Sequence, residues 1–375
     1  MSLSQIAFEA LAAQGGDHVE PDFLMKGSVP VELSGEAVRN RICSFTDRQG
    51  REWALRPDLT LPVAQMEVAA REEADLGETL RHYRGRVFRL PAVSGEPVEY
   101  EQVGLERFGA PRSGEQDAWL FETLGDVCKG AGIGSAHVCF GDLSIFPAFV
   151  DALDLPGDVG AGLKRAFRQE GGVRAYLDGQ DRNRSGLAGR VSDMSHEEIG
   201  AFVEDIFAMT GIRPVGERTA DEIVERLAAR SKVGSQFEID EKQKAVLNRV
   251  LTLEAPIAEA SAALSGIASD AGLNDLSDTL DRFRARADKL AQTTAGLFDS
   301  AAMFATRFGR RFTYYDGFVF EIARDDGSDA MMRPFAAGGR YDSLLSDLSG
   351  GSVSATAIGG IVIPHRLERI VGASE

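Results

Sequence analysis

The sequence predicts an α+β fold, with one mainly antiparallel sheet flanked by helices and a helical region in the middle of the chain. Three observations predict it. Strand character dominates both flanks of the 375 residues, helical spacing dominates the middle, and residues 81–109 alternate apolar and polar side chains in two runs, Arg86 to Leu90 and Tyr100 to Phe108. Pro91, Ser94, Gly95 and Pro97 separate the runs, so the stretch reads as a long antiparallel hairpin around which the sheet is organised. The boundaries that follow are 1–154 for the first sheet segment, 155–298 for the helical middle and 299–375 for the second sheet segment.

In order, Leu3, Ile6, Ala7, Leu11 and Ala12 form a helical stripe that stops at Gly15-Gly16. Val19 to Met25 is strand-like, with Pro21 suited to an edge. Residues 44–64 read as a second hairpin turning at Arg48-Gln49-Gly50, whose strand Glu52 to Leu55 delivers Arg56 to Thr60 to a strand end before a helix from Leu61 to Ala70. Ser113 and Gln116 form a capping box ahead of the apolar face Ala118, Phe121, Leu124, Val127 and Cys128. His137 to Asp142 is a strand, and Ser144 caps a helix through Leu153. In the middle, Ser195 with Glu198 and Thr219 with Glu222 are helix starts, and long helices run over roughly 239–265 and 274–297. The middle carries no functional motif. Strand character returns from Arg311 to Ile322, with a turn at Asp325-Asp326-Gly327, and the chain closes with a glycine turn, a short helix, an apolar strand and a final helix.

Composition narrows the function. Lys plus Arg total 41 against 58 Asp plus Glu, a net charge of −17 that counts against nucleic acid as a partner. No apolar run approaches a membrane span, and the N-terminus lacks the basic start and apolar stretch of a signal peptide, which predicts a cytoplasmic protein. Cys43, Cys128 and Cys139 match no metal or redox spacing and read as buried fillers. The five histidines never pair at ligand spacing, so no metal site is expected, and Gly338-Gly339 lack dinucleotide or phosphate-loop spacing, so no cofactor is expected.

The hairpin's polar register is informative, because Arg89, Gln102 and Glu106 recur on strands otherwise rich in Val, Leu and Phe. A wet sheet face and the floor of a ligand cleft both produce this pattern. Asp58, Gln102 and Glu106 are acceptors, Thr60 and Gln102 donors, and Arg89 with Arg310 or Arg311 cationic forks. Together they suit a zwitterion, with carboxylates on its ammonium and a guanidinium on its carboxylate. Tyr314 and Tyr315, on opposite faces of a strand, would give one ring to the core and one to the ligand.

These blocks, in this order, resemble the catalytic core of histidyl-tRNA synthetases, a class II aminoacyl-tRNA synthetase fold. FTDRQGREWALRPDLTLPVA resembles the family's strand, turn and LRP-(D/E)-x-T segment, and GRVFR with EYEQVGLERFG resembles its motif 2. GRRFTYYDGFVFEI is similar to its RGLDYY and VFE region, and GGRYDSLL with AIGGIVIPHRLER to GGRYD and motif 3. The resemblance implies histidine-binding positions at Asp58, Thr60, Gln102 and Glu106, the motif 2 arginine at Arg89, the RGLDYY arginine at Arg310 and its tyrosines at Tyr314 and Tyr315.

The departures carry further. Both arginines of the motif 2 loop are replaced, by Glu96 and Val98, and Glu96 and Glu99 beside a triphosphate would oppose it. The motif 3 arginine falls on Arg366 without a gap or Arg369 with one. The aspartate of RGLDYY is Thr313, and the chain stops soon after motif 3, which implies no C-terminal anticodon-binding domain. A core that keeps the amino-acid pocket and loses the ATP and tRNA features resembles the regulatory subunits of ATP phosphoribosyltransferase. That resemblance implies no catalytic residues and no tRNA. It also implies a homodimer joined to a short-form catalytic subunit in a hetero-octamer, activation of the first step of histidine biosynthesis, and feedback by L-histidine. The alternative is a stand-alone synthetase paralogue that activates histidine, or a module whose pocket is dead.

Overall fold

The computed structural model describes residues 1–33, 40–92, 96–169, 171–185, 194, 198–202, 239–309, 314–324 and 334–371. They fall into two compact units, one made of residues 1–149 and 249–375 and the other of residues 150–248. The first is built on a nine-stranded sheet of order β1-β5-β6-β12-β11-β10-β7-β9-β8, beside a small sheet in which β4 (Glu52–Leu55) lies between β2 (Leu24–Lys26) and β3 (Ser44–Thr46). Its central strands are β5 (Thr79–Phe88), β6 (Glu99–Phe108), β12 (Ala357–Val362), β11 (Ala336–Arg340), β10 (Phe318–Ala323) and β7 (His137–Asp142), each antiparallel to the next. Parallel pairs occur where β1 (Asp17–His18) joins β5 and where β7 joins β9 (Ala302–Ala305). The sheet flanked by helices is the predicted α+β architecture, and the organising hairpin is β5 and β6.

Helices lie on both faces. Helix Thr60–Glu73 turns Thr60, Leu61, Ala64, Glu67 and Val68 inward, while helix Gly114–Gly130 buries Leu120, Phe121, Leu124 and Cys128, with Leu124 against Gly360 of β12. Half the predicted capping box forms, because Ser113 Oγ accepts from Gln116 N at 3.3 Å while the Gln116 side chain is taken by Arg107. Cys128 is buried, whereas Cys43 and Cys139 are half-buried.

Several boundaries differ from the sequence reading. The helical run over 239–265 is two helices, Glu241–Leu251 and Ile257–Asp270, separated by β8 (Glu254–Pro256), since proline ends one element and opens the next. Helices Ile257–Asp270 and Ser277–Leu297 group with the sheet unit and not with the middle region. Leu297 closes on Gly125 so tightly that a Cβ there would meet it at 2.4 Å, and Arg286 reaches Asp117 at 3.1 Å and also Asp142. The helix starts predicted at Ser195 and Thr219 and the turn at 325–327 lie outside the described residues. In the second unit, helices Gly157–Phe167 and Gly172–Ser185 pack together around Leu163, Phe167, Val173 and Leu177.

Gly266 is exposed inside helix Ile257–Asp270, and a Cβ there meets nothing within 4 Å. Gly266→Ala is expected to stabilise the protein by about 0.5–1 kcal/mol, because it removes the backbone entropy that glycine loses in a helix. A higher urea midpoint at unchanged slope would show it.

Candidate functional site

The inward face of β6 carries Tyr100, Gln102, Gly104 and Glu106, alternating with Val103 and Leu105 on the other face. The register sets glycines among these side chains. Gly85 opposes Gln102, Tyr83 opposes Gly104, Gly359 opposes Glu106, and Gly339 opposes Gly359. A Cβ on Gly359 would lie 1.5 Å from Glu106 Oε2, and one on Gly104 would lie 2.6 Å from the Tyr83 hydroxyl. The glycine floor is what allows polar side chains to lie flat inside a buried layer.

Glu106 is fully buried and accepts from Thr60 Oγ1 at 2.8 Å, from the Tyr83 hydroxyl at 2.6 Å and from the Tyr341 hydroxyl. Burial pushes its carboxyl up to about 7, although the hydrogen bonds from Tyr341, Tyr83 and Thr60 favour the ionised form. Burial and the neighbouring Glu106 charge hold Tyr83 and Tyr341 well above the ordinary phenol range, so both remain donors. Asp58 Oδ1 caps the following helix by accepting from Leu61 N at 3.0 Å. Burial raises its pKa against the pull of Arg89, whose Nη2 lies 3.8 Å from Asp58 Oδ2 while its Nε donates to Pro57 O at 2.5 Å.

Three buried polar atoms stand out. Gln102 is 0% exposed, and neither its Oε1 nor its Nε2 has a hydrogen-bond partner among the described residues; the same holds for Asp58 Oδ2. A buried donor or acceptor left unpaired costs ~1–3 kcal/mol, so atoms left in this condition mark a place where a polar ligand can supply the partners.

The structure brings Thr60 to Glu106 and Arg89 to Asp58 and sets Gln102 on the same face of β6 as Glu106, while the tyrosines depart from the sequence reading. Tyr314 and Tyr315 precede β10 in a turn, so strand alternation does not apply to them. Their rings sit 4.7 Å apart and both face Tyr341, at 5.8 and 6.1 Å. The cause is Asp316, whose carboxylate accepts from the amides of Asp342 and Ser343 and ties the segment to the end of β11 before the strand begins. Arg310 lies outside the described residues. Tyr83 and Tyr341 were missed, and Arg56 proves structural, donating to Arg86 O at 2.8 Å and to Pro21 O with its guanidinium 4.2 Å from the Phe23 ring. β12 ends at Val362 and the next helix starts at Pro364, which puts Arg366 in its first turn. Arg366 Nη2 is bound to Glu96 at 2.9 Å.

Comparison with known proteins places this geometry. The histidyl-tRNA synthetase family model matches residues 3–178 and 184–362. The ATP phosphoribosyltransferase regulatory subunit of Allorhizobium ampelinum is 31% identical over 369 residues, covering 95% of this chain and 94% of the relative. That of Mesorhizobium japonicum is 31% identical over 375 residues, covering 97% and 95%. A crystal structure of an ATP phosphoribosyltransferase regulatory subunit/histidyl-tRNA synthetase from Bacillus halodurans superposes with a TM-score of 0.64 at 19% identity, over 99% of this chain and 78% of that one. Histidyl-tRNA synthetase from a Nostoc species gives 0.60 at 15% identity, over 99% and 71%. At these identities the two structures speak to the fold, which is that of the synthetase core.

Proposed function

Since this chain belongs to the histidyl-tRNA synthetase family and, within it, to the ATP phosphoribosyltransferase regulatory subunits, we propose that it binds free L-histidine in the Asp58, Thr60, Arg89, Gln102 and Glu106 pocket and relays occupancy to a short-form catalytic subunit. Tyr83 and Tyr341 hold Glu106 in place, the Tyr314 and Tyr315 rings complete the site, and Arg310 is a further histidine-binding residue by its sequence position. The chain catalyses no step itself and binds no tRNA. It works as a homodimer inside a hetero-octamer at the first step of histidine biosynthesis, in the cytoplasm.

The observation that carries the reading is the buried Gln102 amide, whose two polar atoms have no hydrogen-bond partner among the described residues, together with Asp58 Oδ2, which accepts no hydrogen bond there and faces Arg89 Nη2 at 3.8 Å, since an amide carbonyl and a carboxylate are what an α-ammonium group requires. Loss of synthetase chemistry is supported by Glu96, which holds Arg366. Self-association is supported by Phe23, Leu24 and Phe45 of the small-sheet region, which are 53%, 45% and 47% exposed. A pocket with different histidine affinity in two assembly states biases the partner by a coupling of ~1–3 kcal/mol.

Calorimetric titration of the chain with L-histidine, alone and with the short catalytic subunit, tests the reading beside a phosphoribosyltransferase assay. Binding without activity alone, and activity on mixing that falls with histidine, is the expected result. Consumption of ATP with histidine by the isolated chain would establish a synthetase instead. Gln102→Leu separates a live pocket from a dead one, because it removes two orphaned atoms and is expected to leave the ligand-free protein equally stable or ~1 kcal/mol more stable while abolishing histidine binding. A variant that still binds histidine like the wild type overturns the pocket assignment.

A further inference from the structure

On the face of the sheet turned away from the pocket, four charged side chains are packed together. That face is covered by helix Gly114–Gly130, whose Leu124 meets Gly360 of β12. Asp117 of that helix, Asp142 at the end of β7 and Arg340 at the end of β11 are buried, and Arg286 of helix Ser277–Leu297 joins them half-buried. Arg286 bridges two of the others. Its Nη1 donates to Asp117 Oδ2 at 3.1 Å and its Nη2 to Asp142 Oδ2, while its guanidinium lies 5.6 Å from the Phe283 ring and 5.7 Å from that of Phe318. Ser144 pins Asp142 from the far side, donating to Oδ1 from N at 2.9 Å and from Oγ at 2.6 Å. Asp117 gives its other oxygen to Arg340, accepting from Nη2 at 2.8 Å and from Nε at 3.2 Å. Holding two carboxylates on separate nitrogens is a task for the planar guanidinium fork and not for a lysine ammonium.

The last link reaches the pocket. Arg340 Nη1 donates to Asp342 Oδ1 at 3.3 Å, and Asp342 also accepts from Ala357 N at 2.8 Å and pairs with the exposed Arg112 at 2.6 Å. Between Arg340 and Asp342 stands Tyr341, whose hydroxyl donates to Glu106 on the pocket side. The sheet itself holds this residue weakly. β10 pairs with β11 only as far as Gly339 and β12 only as far as Arg340, so Tyr341 keeps a single ladder-like bond, from its N to Ala357 O at 2.9 Å. The placement of its ring therefore depends on the side chains that anchor its two neighbours.

We propose that Arg286 is a positioning residue for the histidine pocket: from the opposite face of the sheet it locks Asp117, Asp117 locks Arg340, and together they set the Tyr341 hydroxyl on Glu106. Its role in binding rests on histidine occupying that pocket, whereas its hold on Tyr341 does not. Glu106 is also faced by Tyr83 from β5, by Thr60 and Asp58 from the start of helix Thr60–Glu73 and by Tyr315 from the turn before β10. The hydrogen bond from Tyr341 favours the ionised carboxylate, so a loosened Tyr341 raises the Glu106 pKa and moves its ionisation to higher pH.

The test is Arg286→Lys in the full-length chain, with Arg286→Met beside it. Lysine keeps the positive charge, so it carries the test should methionine, which leaves two buried carboxylates without their shared cation, fail to fold. The calorimetric affinity of Arg286→Lys for L-histidine is expected to fall about fivefold at about pH 7 and to return to that of the wild type by about pH 9, as for a carboxyl whose pKa stands about one pH unit higher. Taking each affinity as a ratio to the wild type cancels the titration of the ligand. A lower melting temperature with unchanged affinity at neutral pH, or an affinity loss of equal size at both pH values, marks a structural ion pair and overturns the proposal. Urea unfolding of the ligand-free protein across the same pH range reads Glu106 without histidine. Arg286→Lys should carry the Glu106-linked loss of stability about one pH unit higher, and that difference should vanish when both chains also bear Glu106→Gln. A difference that survives Glu106→Gln belongs to Asp117 or Asp142 and overturns the proposal as well. If the wild type binds no histidine, the pocket reading fails, and the unfolding profile still decides the role of Arg286.

Discussion

Gly359→Ala is expected to abolish L-histidine binding and to cost ~3 kcal/mol or more of stability, the largest effect of any single methyl group in the site. The new Cβ would stand 1.5 Å from Glu106 Oε2 and 2.7 Å from Leu105 O. The backbone has little freedom to yield, because β12 is bonded to β6 on one side and β11 on the other. The carboxylate must therefore swing away, which breaks the bonds from Thr60, Tyr83 and Tyr341 and leaves buried hydroxyl groups unpaired at ~1–3 kcal/mol each. Gly360→Ala is the control. It projects to the opposite face, where its Cβ meets Ala337 O at 2.7 Å and Leu124 Cδ1 at 2.8 Å, so it should destabilise the protein while leaving histidine affinity unchanged. Thermal melts and histidine titrations of both variants decide the matter. Wild-type affinity in Gly359→Ala would remove Glu106 from the binding site.

That contrast also explains what the sequence could and could not disclose. Gln102 and Glu106 were legible because they interrupt an apolar alternation two and four residues apart from Gly104 and each other, a pattern visible in one strand. Asp58 and Thr60 were legible because a strand delivers them to a helix start. Tyr83 and Tyr341 were not, since their role depends on a register across β5, β6, β12 and β11, and strand order is not written in local periodicity. The glycines at 85, 104, 339 and 359 carry no signal one at a time, yet a shared register makes them a floor. At Tyr314 and Tyr315, β-propensity misled, because a run of Phe, Thr and Tyr scores as strand whether or not the following Asp316-Gly317 has already committed the backbone to a turn. The helical middle was recognisable by spacing, but not its division at Pro256, because helix packing against Gly125 and Asp117 decides which helices group with the sheet.

Proton release on binding follows from Glu106. Its carboxyl is raised from 4.5 to about 7 in the folded protein, so the fold favours the protonated acid. For a group raised in this way, the stabilisation is complete below the unfolded value and is lost as pH rises through the folded one. Between about pH 4.5 and 7 the protein should thus give up ~3 kcal/mol through this residue alone. Histidine bound with its ammonium group on Asp58 and Gln102 adds a positive charge to the pocket that Glu106 shares, which favours the ionised form and lowers its pKa again. Near neutral pH, binding is therefore expected to expel part of a proton, and the calorimetric enthalpy should vary with the ionisation enthalpy of the buffer. Affinity should weaken by up to about tenfold per pH unit as the solution is taken below 7, since protonated Glu106 must first be deprotonated. The imidazole of free histidine titrates near 6.5 and contributes its own proton traffic in the same window. Glu106→Gln separates the two, because the ligand's contribution persists in any residual binding while that of Glu106 disappears, along with the protein's loss of stability between pH 4.5 and 7. A stability profile that is as steep in Glu106→Gln as in the wild type would mean that another group bears the buried charge, and the buffer dependence would then have to be traced to Asp58, whose burial raises it in the same direction.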